Sequence, residues 1–460
     1  MTRRSGPGGQ GRDHDQRREP RDPGWVGREL DLVLGDPAHG GFCVARHEGR
    51  VVFVRQGIPG ERVLARVTED RGGGYCFAAV TEVLEPSEHR VEPLCPVATG
   101  NHLDSGPTDG AGCCDLSHMD AVAQRDWKAR VVEGQLRRIA HIERVVQVES
   151  LHDEGEPELT GWRTRVRLAV DRDGNAGYRR YRGSEVIADL RCPQAMAGLL
   201  DGIGDRGWRP GCELLVVADS SGQRHIVETV TAPDARGRAS VAQGGSRQRA
   251  ASRRARAAHR SEVRILEGSG DTAQMVGDTA WEVPATGFWQ AHRHAPERYS
   301  AVVREWSTAG PGDTAWDLYS GAGVFAHVLA AQVGASGRVE AVEADARAVA
   351  AGERALSGLP QVRFHAMPTV RALPVLAEAP SSDRPSVVVL DPPRAGAGRE
   401  VIESVAAAGP DRIIHIGCDP AAFARDCALY AEQGYGLADL RVLDAFPLTH
   451  HMECVALLQR

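Results

Sequence analysis

From about residue 281 to the end of the chain, short apolar runs alternate with amphipathic stretches, and this alternation constrains the fold more than any other feature. Runs of strand character are Asp313–Leu318, Gly337–Glu343, Gln361–His365, Ser386–Leu390 and Arg412–Gly417. Between them, Val324–Val333, Ala346–Leu356, Glu400–Ala408 and Pro420–Glu432 carry apolar residues at helical spacing. Parallel strands need a crossover, and a helix supplies it. Repeated strand–helix units therefore imply an α/β domain, Rossmann-like and doubly wound, over residues 281–460. Ligands of such sheets bind beyond the carboxyl ends of the strands, so chemistry is to be sought there.

Three motifs sit at those ends. The first is Asp317-Leu318-Tyr319-Ser320-Gly321-Ala322-Gly323-Val324-Phe325, a strand-to-helix turn in which Gly321 and Gly323 let the backbone approach a ligand closely. Glu343 ends the next strand, about 20 residues on, where an acid commonly holds ribose hydroxyls. Together they point to a nucleoside-type cofactor; the turn alone is equally read as a tight connection. The second motif is Asp391-Pro392-Pro393-Arg394-Ala395-Gly396. Its prolines stiffen the turn, and Asp391 either faces a ligand or caps the next helix.

The third is Gly417-Cys418-Asp419-Pro420. Cys418 falls at a strand-to-helix switch, where a helix N-terminus lowers a thiol pKa and makes a nucleophile. The alternative is an ordinary buried thiol. Near the C-terminus, Glu453 opens an apolar strand. A carboxylate enclosed there has a raised pKa and can act as a base, or it forms an edge salt bridge.

The rest of the chain reads as two further units and a tail. Residues 1–23 are polar, with no apolar core of a signal peptide, and are expected to be disordered. Over residues 24–86, alternating runs at Glu29–Leu34, Phe42–His47, Val51–Gln56, Arg62–Thr68 and Tyr75–Val83 are separated by Gly and Pro clusters, the pattern of a small β-barrel. Residues 87–280 read as a central α+β unit. It has a loop-like start, a helix over Trp127–Ile142, strands within Gly161–Leu190, and a flexible arginine-rich insertion at 232–262.

No run approaches 18 apolar residues, so no membrane span is expected. The net charge of −7 argues against indiscriminate nucleic-acid binding but leaves room for a local basic face. Lys128 is the only lysine. Ten cysteines without an export signal suit a reducing cytoplasm better than a disulfide framework. Nothing calls for an obligate protein partner.

The set Gln290, Asp317–Gly323, Glu343, Asp391–Gly396, Cys418-Asp419-Pro420 and Thr449-His450-His451-Met452-Glu453 resembles, in order and spacing, the RNA 5-methyluridine methyltransferase family. Gly41-Phe42 and Ile58-Pro59-Gly60-Glu61-Arg62-Val63 resemble a TRAM domain, an RNA-binding barrel related to the OB-fold. The resemblance implies a class I methyltransferase domain that takes S-adenosylmethionine at Gln290, Tyr319, Gly321, Gly323, Glu343 and Asp391. It implies Cys418 as nucleophile, Glu453 as base, and a uridine of ribosomal or transfer RNA as substrate. The uracil has to leave its stack; Trp289, His292 and His450 are candidates to receive it, each read first as a packing or hydrogen-bonding residue. Two positions depart from the family pattern: Asp419 and His292 stand where asparagine is common. The contrasting reading is an inactive RNA-binding protein on the same fold. A cytosine methyltransferase would carry a two-cysteine arrangement around Pro-Cys, which is absent.

Many relatives in that family also hold a 4Fe-4S cluster on one Cys, a Cys-Gly-Gly-Cys and a distant Cys-Pro. Cys95 and Cys192-Pro193 match the ends, but the middle reads Gly110-Ala111-Gly112-Cys113-Cys114. The resemblance leaves Cys95, Cys113, Cys114 and Cys192 as a four-thiolate set for a cluster or, less readily, zinc, against ordinary buried thiols.

Overall fold

The computed structural model describes residues 24–98, 110–231, 261–378 and 384–460. The expected N-terminal tail and residues 232–260 of the arginine-rich insertion lie outside the described residues.

Six strands form the first unit: β1 (Glu29–Val33), β2 (Pro37–Ala38), β3 (Phe42–His47), β4 (Arg50–Arg55), β5 (Arg62–Asp70) and β6 (Tyr75–Glu85), in spatial order β1-β5-β6-β4-β3-β2. Strand alternation sends Leu30, Leu32, Val52, Val54, Val63, Ala65 and Ala78 into one interior and their neighbours outward. At the foot of this barrel, buried Glu61 accepts the Arg90 guanidinium at 2.6 Å and the amide of Ile58 at 2.8 Å.

The helix expected from Trp127 begins six residues earlier. Asp120 caps α1 (Ala121–Gln135), its carboxylate accepting the Ala123 amide at 2.8 Å. A π-turn over Leu136–Ala140 ends it at His141, which has a φ of 56°. After β7 (Val148–Ser150) comes an antiparallel sheet: β8 (Arg165–Val170), β9 (Ala176–Arg179), β10 (Val186–Ile187), β11 (Glu213–Ala218), β12 (Arg224–Thr231) and β13 (Ser261–Glu267). Ser261 and Glu262, expected at the end of the insertion, already pair with β12.

The hairpin β14 (Asp271–Val276) and β15 (Thr279–Pro284) precedes the α/β body but packs on it: Trp281 is buried, and its Nε1 donates to the Ala322 carbonyl at 2.9 Å. The body follows: α2 (Ala295–Ser307), β16 (Thr314–Leu318), α3 (Val324–Val333), β17 (Arg338–Glu343), α4 (Ala346–Ala355), β18 (Val362–Ala366), α5 (Thr369–Ala377), β19 (Pro385–Leu390), α6 (Arg399–Ala408), β20 (Arg412–Gly417), α7 (Pro420–Glu432), β21 (Gly436–Asp444) and β22 (Glu453–Gln459). The eight-stranded sheet runs β18-β17-β16-β19-β20-β22-β21-β7. Strands β16 to β20 are mutually parallel where they pair, and β22 is antiparallel to both neighbours.

Alternate strand residues serve opposite faces. Ala315, Val387, Val389 and Ile414 pack with α2, α3 and α4, whereas Trp316, Val388, Leu390 and Ile413 pack with α1, α5, α6 and α7. Packing thus crosses the boundary drawn from the sequence between residues 280 and 281: α1, β7 and the β14–β15 hairpin all join the α/β body.

The lone lysine ties α1 to that body. Lys128 is fully buried, and its ammonium donates to Asp444 at 2.5 Å and to the Phe446 carbonyl at 3.1 Å. Breaking a buried pair by removing one partner strands the other charge. Lys128→Met is expected to destabilise the fold by about 3–5 kcal/mol, seen as a lower urea midpoint at unchanged slope. Adding Asp444→Leu should recover most of the loss; an unaltered midpoint in the single variant would refute the pairing.

Candidate active site

A cavity of about 1060 Å³ opens at the carboxyl ends of β16, β17, β19 and β20. Gln290, Tyr319, Gly321, Glu343, Asp391, Cys418 and Glu453 all line it. The first turn leaves β16 through two left-handed residues, Tyr319 at φ 62° and Gly321 at φ 55°. The Gly321 amide donates to Glu343 Oε2 at 3.0 Å, and the Asp345 amide donates to Oε1 at 2.7 Å. Glu343 thereby locks two strand ends together. Gly323 does not line the cavity. It precedes α3 at φ 78°, and a Cβ there would meet the Phe364 ring at 2.7 Å, so glycine is required for packing.

The antiparallel pairing of β20 with β22 ends with Gly417 opposite Cys454. One step further along both strands brings Cys418 and Glu453 to the same end of the ladder, facing the cavity. Asp391 follows β19, the next strand over. The acids are crowded and dry. Burial pushes Asp391 up to about 7 and Asp317 up to about 8. Burial, and next the charge of Asp391, push Glu453 well above the carboxylate range. Arg394 opposes this for Glu453 and likewise for Cys418.

The thiol departs from expectation. Burial, with the charge of Glu453 second, pushes Cys418 up to about 12 rather than down. Asp419 caps α7, accepting the amides of Ala421 and Ala422 at 3.1 and 2.9 Å, and its charge adds to the rise at Cys418. Asp419 also lies 3.4 Å from His39 of the barrel, which accounts for an acid at this position. With the thiol pKa raised, the thiolate fraction is small at neutral pH and grows as pH rises. Iodoacetamide labelling of the Cys418 peptide, read by mass spectrometry, is therefore expected to accelerate continuously between about pH 7 and 10; a plateau near neutrality would contradict the burial account.

Of the three candidates for receiving a base, Trp289 lines the cavity but the two histidines do not. His292 is buried and stacks on Trp162, with centroids 5.4 Å apart and an interplanar angle of 13°. His450 is held by Asp115, Nδ1 to Oδ2 at 2.5 Å. The next residue, His451, faces the cavity instead and lies 3.5 Å from Arg394. Sequence reasoning missed His451, Arg394 and Tyr299 as site residues. Tyr299 lines the cavity, and its buried hydroxyl has no partner among the described residues. Arg394 was legible as part of its motif, whereas Tyr299 is hidden within the apolar face of α2.

Some distance along the chain, the Sγ atoms of Cys95, Cys113 and Cys114 lie within 4.8 Å of one another. Cys192 lies outside that triplet but accepts a hydrogen bond from Cys114, which holds its thiol down at about 6. Hydrogen bonds from Cys113 and then Cys114 hold Cys95 well below the thiol range.

A mixed Rossmann-like sheet with this cavity at its strand ends, preceded by an OB-like barrel, defines the methyltransferase fold with an appended RNA-binding module. Residues 308–460 match the family model for tRNA (uracil-5-)-methyltransferase, and residues 25–81 match the TRAM domain. An uncharacterized RNA methyltransferase of Corynebacterium glutamicum is 39% identical, over 94% of this chain and 98% of its own. One from Streptomyces coelicolor is 37% identical, over 94% and 93%. The chain belongs to the RNA 5-methyluridine methyltransferase family. The crystal structure of Pyrococcus abyssi tRNA (uracil-54, C5)-methyltransferase in complex with S-adenosyl-L-homocysteine shares the fold, with a TM-score of 0.62 at 18% identity, over 93% of this chain and 99% of that one. No described helix is long and apolar enough to cross a membrane.

Proposed function

We propose that this protein methylates carbon 5 of a uridine in ribosomal or transfer RNA, with S-adenosylmethionine as methyl donor, Cys418 as nucleophile and Glu453 as base. One observation carries the reading: a thiol and a carboxyl group end adjacent antiparallel strands in the same cavity as the Gly321 turn and Glu343.

The residues present fit the donor. Buried Asp317 Oδ1, Ser320 Oγ and Glu453 Oε2 lack hydrogen-bond partners among the described residues. Each oxygen of Glu343 takes one amide, leaving lone pairs for ribose hydroxyls. Several acids whose pKa values are raised by burial favour a cationic guest. S-adenosylmethionine supplies an electrophilic methyl group on a positively charged sulfur.

Carbon 5 of uracil is a poor nucleophile. Addition of the Cys418 thiolate to carbon 6 forms a C–S bond and moves the ring electrons toward the oxygen on carbon 4, which makes carbon 5 able to accept a methyl group. Arg394, beside both reacting groups, favours the anionic states. Glu453 then takes the proton from carbon 5, the C–S bond breaks, and the thiolate leaves. RNA carrying 5-fluorouridine has no such proton, so the adduct should persist as a protein–RNA species stable to denaturing electrophoresis. Absence of that species despite RNA binding would reject the mechanism. Mapping 5-methyluridine in RNA from a strain lacking the gene would identify the target.

The cysteine nest supports a second element of the reading: Cys95, Cys113, Cys114 and Cys192 as ligands of a 4Fe-4S cluster. Two thiols are held low and Cys114 is held well up by Cys113, so all four ionise together only with a compensating cation. Anaerobically purified protein should contain about four irons and four sulfides per chain. Zinc instead, or neither metal, would reject the cluster.

A further inference from the structure

The barrel turns an aromatic face outward. On β3, β4 and β6 the interior takes Cys43, Val52, Val54, Cys76 and Ala78, so strand alternation sends the intervening residues to the outer side. Strand register sets Phe53 directly opposite Phe77, and Phe42 opposite Arg55. The Phe53 and Phe77 rings stack at 5.5 Å and 29°, and Tyr75 meets both edge-on at 5.9 and 5.8 Å. Phe53 and Phe77 are only partly buried, and Tyr75 is 48% exposed. Large apolar side chains clustered on the wet side of a barrel do nothing for its core.

Cations border this face. Arg182, at a turn of the central unit, lies 5.3 Å from the Phe77 centroid while donating to Glu69 at 2.8 Å, and Arg55 lies 3.5 Å from the Tyr181 centroid. The buried Nε of Arg55 has no acceptor among the described residues. The face also runs toward the cavity. Arg55 feels the charge of Asp115, Asp115 holds His450, and His451 next to it lines the cavity. Nearby, Gly41 approaches Asp115 so closely that a Cβ would meet its Oδ2 at 2.2 Å, and His39 reaches Asp419 beside Cys418.

We propose that Phe53, Phe77 and Tyr75 form a stacking platform for unpaired bases of the substrate RNA flanking the target uridine, with Arg55 and Arg182 meeting its phosphates. The platform rests on the proposed RNA substrate and names the part of it that the barrel holds. Aromatic faces bind single strands without reading sequence, because every base has a π-face. A platform continuous with the cavity favours a target in a loop, since a splayed strand can reach both.

The test uses the full-length protein and a fluorescein-labelled 12-nucleotide oligouridylate, with a duplex RNA and an abasic oligomer of equal length as comparisons. Phe53→Ala and Phe77→Ala should each weaken oligouridylate binding about tenfold or more. Phe77→Trp should preserve it, and abasic binding should be unaffected by either alanine. With a uridine loop as substrate, the alanine variants should raise KM and leave kcat unchanged. Alanine variants that melt like the parent yet bind oligouridylate equally well would overturn the platform, as would equal losses on the abasic oligomer. Unaltered RNA binding together with loss of a self-associated form in sedimentation would make the face a protein interface and overturn it as well. Binding is read without turnover. Oligouridylate held by a parent protein that transfers no methyl would thus sink the proposed chemistry while leaving the platform standing.

Discussion

Cys418→Ala is expected to abolish methyl transfer to RNA rather than slow it. No other step in the proposed route makes carbon 5 nucleophilic, and without the C–S bond the ring stays unreactive toward a methyl donor. The thiol is half-enclosed at the end of β20, and the substitution removes only one sulfur, so the sheet and the neighbouring Asp419 cap remain. RNA affinity and cofactor affinity should therefore survive, and the denaturation-stable adduct with 5-fluorouridine RNA should vanish. Tritium transfer from labelled S-adenosylmethionine is the measurement. Parental activity in the alanine variant would end the role assigned to this residue.

Glu453→Gln should act later and differently. General-base catalysis typically contributes roughly 10²–10⁴-fold, and turnover should fall by that amount. The addition and methylation steps precede proton removal, so the variant should accumulate the adduct on ordinary uridine RNA, where the parent protein does not. Glutamine is nearly isosteric. It also relieves a carboxyl that burial disfavours in its charged form and whose Oε2 lacks a partner among the described residues, so the fold should not weaken. Single-turnover kinetics with gel detection of adduct checks both halves. Near-parental kcat with no adduct would move the base to another group, Asp391 being the nearest alternative in chemistry and placement.

Much of the fold and some of the candidate site were readable without coordinates. The strand–helix alternation after residue 281 placed every strand of the parallel core to within a residue or two, because hydrophobic period is a local property. Helix α1 was placed late because its first turn, Ala121-Val122-Ala123, shows no period, and its start is marked by the Asp120 cap instead. Gly323, expected beside the cofactor, packs against Phe364, some forty residues away in the chain. His292, open between a pocket and a packing role in the sequence, stacks on Trp162. Neither contact has a counterpart in local spacing.

The amino-acid order alone determined the α/β class, the small β-barrel before it, and the positions of Cys418, Asp391 and Glu453 at strand ends, since periodicity and turn motifs act over a few residues. Only the tertiary structure decided the ionisation of Cys418, the entry of Tyr299 and His451 into the cavity, and the joining of Lys128 to Asp444. Desolvation and charge pairing are set by whatever groups surround a side chain, and those groups come from distant parts of the chain that meet only when it folds.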